Sequence, residues 1–236
     1  IDNISNVFSM GEVAASDFSE ERKNDKTFIN FSFTEQVRKA KESILNPNNQ
    51  KINNENFISM WSKYYKTYMK KVDGKDIVMS AKEVKNQEKK AMERLNNGNY
   101  VVEPDAKPAI NSAVKVFKGQ YGLSDQKLTK IIENIGQIES QYDTKEQYND
   151  GPARSYWQVE PASAMDFVKN SSALLKGNFE KEFAKIKRPS GTTVVQYLQS
   201  LDANKDEDVK EMQKLLFNNG NLAATLALGM FLNRIK

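Results

Sequence analysis

Apolar residues recur at three- and four-residue spacing along most of this chain and almost nowhere alternate, which predicts a mainly helical, all-α protein. The clearest case is Leu128, Ile131, Ile132, Ile135 and Ile138, one buried stripe on a helix that Ser124 caps and that ends at Glu139. Ahead of it, Thr34 caps a helix from Glu35 to Leu45, stopped by Asn46-Pro47-Asn48-Asn49. Asn53 or Asn54 caps a second, Glu55 to Val72, ended by Asp73-Gly74. Ser80 opens a third, Ala81 to Leu95, with Gly98 suited to the left-handed position after it. A helix from Pro108 to Phe117 and a turn at Gly119 to Gly122 lead to the Ser124 cap. Beyond Pro161 the pattern predicts five more helices: Ala162 to Asn170, Ser172 to Ile186, Thr193 to Leu201, Asp206 to Phe217 and Asn221 to Ile235.

The polar and punctuated stretches divide the chain. Residues 1–30 are rich in Ser, Asn, Asp and Glu with isolated hydrophobes and read as an extended arm. Residues 31–104 form a helical N-terminal extension, and the two-proline segment Tyr100 to Pro108 marks the boundary to a C-terminal domain, 105–236. Phe57, Met60, Trp61, Tyr64 and Tyr68 form an aromatic stripe that reads as core. The charged circumference of the third helix reads as a solvated face. Leu222 to Leu232 is the longest apolar run; it is too short to span a bilayer and reads as a buried core helix. No charged-then-apolar signal segment opens the chain, and a start at Ile1 rather than Met is expected of a processed product or part of something longer.

Composition narrows the chemistry more than the fold. Among 236 residues there is neither Cys nor His. Disulfides, thiolate zinc sites and the commonest general base are thereby excluded, and acid-base work falls to carboxylates, Tyr or Lys. The net charge of +4 is spread among interleaved acids and bases. It demands no nucleic-acid surface, although a mildly basic chain suits anionic wall polymers. One oxygen-rich loop, Asp202 to Asp208, alternates ligands as a calcium loop does. Glu207 stands where that loop needs Gly and Gln213 where it needs a bidentate Glu, so it reads as an acidic turn capping the next helix. No metal or other cofactor is expected.

The stretch that states a chemistry is Glu139 to Pro161, ESQYDTKEQYNDGPARSYWQVEP. A carboxylate at the end of a rigid helix, beside its apolar face where desolvation raises a carboxyl pKa, is followed by a bending loop and an aromatic-plus-amide block suited to a pyranose ring. Glu139-Ser140 with Tyr142, then Ala153-Arg154-Ser155-Tyr156-Trp157-Gln158-Val159-Glu160-Pro161, resembles the signatures of the soluble lytic transglycosylases, relatives of goose-type lysozyme. In that family a Glu-Ser pair is followed about twenty residues later by Gly-Ala-x-Gly-Leu-Met-Gln-apolar-x-Pro. Ala153, Gln158, Val159 and Pro161 match in register, whereas Ser155 stands where the family has Gly and Tyr156-Trp157 replace Leu-Met. This form is more similar to variants in bacteriophage-encoded wall-degrading proteins than to the bacterial housekeeping enzymes.

The resemblance implies a lysozyme-like domain that cleaves the β-1,4 bond between N-acetylmuramic acid and N-acetylglucosamine in peptidoglycan glycan strands. Glu139 is then the acid and the base of a lytic transglycosylase, with Ser140, Tyr142, Tyr156, Trp157 and Gln158 around the substrate. In a lysozyme-type hydrolase a second carboxylate would help a water attack, with Asp143, Asp150 and Glu160 as candidates. The implied setting is a virion component that opens the host wall for genome delivery, acting in the host periplasm or cell wall and meeting other virion subunits through the N-terminal half. Three alternatives stay open: a structural virion protein with a weak or inactive domain, a free endolysin, and a secreted or periplasmic bacterial enzyme.

Overall fold

The computed structural model describes residues 35–64, 69–72, 75–97, 101–147, 150–175 and 177–235. They are mainly helical and fall into two compact units, 1–96 and 97–236. The expected arm, the Thr34 cap, the stripe residue Tyr68 and the helix-end position Gly98 lie outside the described residues.

In the first unit, helix α1 covers 35–45, and α2 runs Asn54–Tyr64. Asn53 caps α2 by accepting from the backbone N–H of Asn56 at 3.0 Å. Phe57, Met60 and Trp61 are buried, as the core reading of the aromatic stripe requires. The expected helix to Val72 is corrected: Met69–Val72 (β1) pairs antiparallel with Lys75–Val78 (β2), Met69 opposite Val78 and Val72 opposite Lys75. Asp73 and Gly74, expected to end the helix, lie outside the described residues. Helix α3 follows at Ala81–Asn96. Ser80 and Glu83 close a capping box at its start, the hydroxyl accepting from Glu83 N–H and the carboxylate from Ser80 N–H. Ala91 and Leu95 are its buried positions, and Glu88 Oε1 accepts from the buried Ser62 hydroxyl of α2 at 2.8 Å.

The second unit is organised around its last helix. Its helices are α4 (Ala106–Phe117), α5 (Asp125–Glu139), α6 (Pro161–Ser171), α7 (Asn178–Glu182), α8 (Val194–Ser200), α9 (Asp206–Asn218) and α10 (Gly220–Ile235). Helix α10 is buried on nearly every side, from Leu222 through Ile235, and packs on α4, α5, α6 and α9. A helix apolar all round belongs inside, and among the described residues no single helix is long and apolar enough to cross a membrane. Gly229 marks its closest approach. A Cβ there would lie 2.7 Å from the Phe167 ring and 2.8 Å from that of Phe117, so α6 and α4 both press on bare backbone.

The caps of this unit follow local chemistry. Ser124 accepts from Lys127 N–H at the start of α5, and Thr193 with Gln196 forms a capping box on α8. The single helix expected over Ser172 to Ile186 is corrected to a 3₁₀ turn, Ser172–Leu175, and the short α7. Gly177, at φ 66°, stands between them. Phe179 and Phe183 then pack inward, tilted at 55° with ring centroids 4.7 Å apart, while Glu182 ties α7 to α4 by accepting from Ser112 Oγ and Lys115 Nζ. The Asp202 loop is an acidic turn, but the capping expected of it is corrected: Lys205 stands at the N-cap of α9 with no side-chain cap bond, and Asp206, Glu207 and Asp208 fall in the first turn. Asp202 Oδ1 takes the backbone and side-chain N–H of Asn204, and Asp208 takes the N–H of Asp202. No group of three or more acidic side chains able to hold a metal ion occurs among the described residues.

Candidate functional site

Helix α5 ends on Glu139, a half-buried side chain next in sequence to the buried Ile138. Termination is the work of Ser140. Its backbone N–H reaches back to the carbonyls of Gly136 and Gln137, and its hydroxyl donates to Gly136 O at 3.3 Å while accepting from Tyr142 N–H at 3.0 Å. The Ser140 hydroxyl, expected at the substrate, is therefore occupied in closing the helix and starting the turn. Gln141 and Tyr142 then take left-handed φ of 54° and 59°. That reversal lays the Tyr142 ring back over Gly136, where a Cβ would sit 2.5 Å from it, and the Tyr142 hydroxyl donates to Glu133 O at 3.0 Å.

The second motif is a tight turn closed by its own backbone. Arg154 and Val159 exchange hydrogen bonds, N–H to O, at 3.1 and 2.9 Å, and Arg154 also bridges to Glu146. The four residues between, Ser155-Tyr156-Trp157-Gln158, are thus forced through a narrow reversal, and two of them take left-handed φ: Ser155 at 72° and Gln158 at 47°. Such a φ costs a residue with a Cβ roughly 1–2 kcal/mol. Ser155 Oγ compensates by accepting from Trp157 N–H at 3.3 Å. Gln158 donates its side-chain amide to Ser155 O at 2.9 Å, inside the same turn. Of the six non-glycine residues with left-handed φ among the described residues, five fall in this region: Gln141, Tyr142, Asp150, Ser155 and Gln158. Strained backbone concentrates where a fold is held for a purpose other than its own stability.

The two segments are packed together. Trp157 Nε1 donates to Ile132 O at 2.9 Å across 25 residues of sequence. The Trp157 ring stands edge-on to Tyr142, centroids 6.2 Å apart, and Tyr156 lies 5.6 Å from Tyr142 and 6.1 Å from Trp157. Exposure separates their roles. Tyr142 and Trp157 are 2% and 1% exposed, so the expectation that both line a groove is corrected: their surfaces are consumed in the seam between α5 and the turn. Tyr156 and Gln158 keep part of their surface in solvent. The proposed second carboxylates Asp143, Asp150 and Glu160 are all exposed. Glu160 precedes α6 and accepts from Ser163 Oγ at 3.5 Å.

Three groups absent from the sequence expectations belong to the same region. Asp105, in the turn before α4, leaves that helix uncapped and instead accepts from Tyr156 Oη at 3.0 Å and from Lys145 Nζ. Lys145 Nζ also lies 5.0 Å from the Tyr156 ring centroid. The Lys145 ammonium holds the Asp105 carboxyl below its usual range, and Asp105 in turn raises the lysine. Burial, then the bond to Asp105, pushes the Tyr156 phenol up. The third group is Glu133, half-buried on α5, whose carboxyl is pushed up by burial.

No protein-family model, no curated protein and no solved structure matches the chain.

Proposed function

We propose that this chain cleaves peptidoglycan glycan strands, with Glu139 as the single acid-base of a lytic transglycosylase. The observation that carries the reading is the junction of the two motif segments: the turn at Ser155 to Gln158 is bonded through Trp157 Nε1 to Ile132 of the helix that ends on Glu139. Two segments that resemble one family's catalytic pair meet in space, in a chain with no His or Cys to offer another route. The concentration of left-handed residues at this junction supports the same reading.

In the proposed mechanism Glu139 gives its proton to the glycosidic oxygen as the bond to the muramic C1 breaks. The resulting carboxylate then takes the proton of the muramic C6 hydroxyl as that oxygen closes on C1, leaving a 1,6-anhydro end and no water consumed. Tyr156 and Gln158, the motif side chains that retain exposed surface, meet the sugar, and Tyr142 and Trp157 hold the turn that carries them. The family resemblance together with a separate compact N-terminal unit supports a virion component, in which residues 1–96 meet other subunits and residues 97–236 open the wall.

Mass analysis of the muropeptides released from purified peptidoglycan tests the reaction class. Anhydro ends are the expected product. Reducing ends would mean a hydrolase, and release of nothing would remove the enzyme reading.

A further inference from the structure

We infer that Asp105 and Lys145 form a clamp that positions Tyr156 and the turn behind it, and so sets how tightly the glycan is held; this rests on the proposed wall-cleaving reading. The clamp joins three segments that are distant in sequence. Asp105 precedes α4, Lys145 follows the end of α5, and Tyr156 sits in the second motif, 51 residues from Asp105.

Each member makes more than one contact. Asp105 divides its carboxylate, Oδ1 accepting from Tyr156 Oη and Oδ2 from Lys145 Nζ. An Asp at a helix N-cap ordinarily spends an oxygen on the first-turn N–H groups, and here none is so used. Lys145 supplies its ammonium to the carboxylate and to the Tyr156 ring, and its backbone carbonyl accepts from Ser155 N–H at 2.7 Å. The same residue thus fixes the strained Ser155 and the ring that follows it. Tyr156 is held at its hydroxyl by Asp105, over its face by Lys145 and at its edge by Tyr142 and Trp157.

The pair stays about half exposed, Lys145 at 42% and Asp105 at 54% of the side chain. Exposed ion pairs add little to global stability, whereas a fixed ring orientation lowers the entropy lost when a ligand stacks on it. The clamp therefore acts on affinity and on local order. Asp105 and Lys145 are positioning residues, acting through Tyr156.

Two readouts on the full chain test this, using Asp105→Asn and Lys145→Met with purified peptidoglycan as the probe. The first is the concentration dependence of wall clearance. Both variants are expected to raise the apparent KM about three- to tenfold, as loss of one ordinary hydrogen bond does, with kcat within about twofold. The second is amide hydrogen exchange, in which Ser155 and Gln158 are expected to exchange faster in both variants while α10 amides are unchanged. Unchanged KM and unchanged exchange at Ser155 and Gln158 would overturn the clamp, as would a fall in kcat at constant KM. If the wild-type chain clears no wall at all, the wall-cleaving reading fails while the exchange readout alone still decides the clamp. Faster exchange at Ser155 and Gln158 then upholds it as a positioning device, and unchanged exchange removes it.

Discussion

The indole N–H of Trp157 is bonded to the carbonyl of Ile132 on the helix that carries Glu139, 2.9 Å away, and the ring is 1% exposed. This single side chain fastens the turn to the helix that ends on Glu139 by both a hydrogen bond and full burial. Trp157→Ala is expected to destabilise the chain by about 3–5 kcal/mol, the range for emptying a large buried aromatic. Trp157→Phe should cost less, because most of the apolar volume stays while the donor and part of the ring are lost. Urea unfolding of the two variants checks the order; equal costs would mean that the ring Phe retains contributes nothing and that the lost donor and indole volume carry the whole effect.

Gly136 and Tyr142 form a second such pair. A Cβ at position 136 would lie 2.5 Å from the Tyr142 ring. Gly136→Ala should therefore destabilise the wild-type chain even though Ala is favoured over Gly in a helix interior by about 1 kcal/mol. In a Tyr142→Ala background the clash is gone, and the same change should stabilise. A double-mutant cycle read by thermal unfolding gives the sign reversal, which neither helix propensity nor packing alone produces.

Ser155 holds φ 72° and accepts from Trp157 N–H through its hydroxyl. Ser155→Ala keeps the strain and loses the bond, so it should lower stability by about 1 kcal/mol. Ser155→Gly loses the bond and releases the strain, and should leave stability near that of wild type. Denaturant midpoints of the two variants measure this. An Ala variant as stable as the Gly variant would contradict the backbone account.

Glu133 carries a pH dependence whose sign follows from burial. Its carboxyl is pushed above the ordinary 4.5, so the folded chain favours the protonated form. That favourable contribution is present below the unfolded pKa and is lost as pH rises through the folded one. Glu133→Gln removes the ionisation, and should raise the melting temperature at pH 7, with the gain fading as pH falls through the folded pKa toward 4.5. A variant less stable at pH 7 would show that the ionised carboxylate is satisfied where it stands.

The fold was legible where its signals are local. Caps need only three or four residues, and Ser80 with Glu83, Ser124, and Thr193 with Gln196 each begin a helix where their side chains say one begins. The burial of α10 was equally plain, since a run of Leu, Ala and Phe with no polar face has nowhere else to go. The hairpin at Met69–Val72 and Lys75–Val78 was hidden because strands of four residues are too short for alternation to outweigh helical spacing. At the candidate site, the end of the helix on Glu139 was readable and the fate of the aromatics was not. Tyr142, Tyr156 and Trp157 look alike in sequence, and only tertiary packing makes two of them core and leaves one partly in water. Asp105 and Lys145 gave no signal, because contacts across 40 and 51 residues leave no period in the chain.

The most direct measurement is digestion of purified peptidoglycan by the wild-type chain and by Glu139→Gln, with melting temperatures taken on both. The account predicts anhydro-muropeptides from the wild type, a loss of at least about a hundredfold in their release by the variant, and unchanged melting. Equal release by both proteins would contradict it, because Glu139 would then be an ordinary residue at the end of a helix.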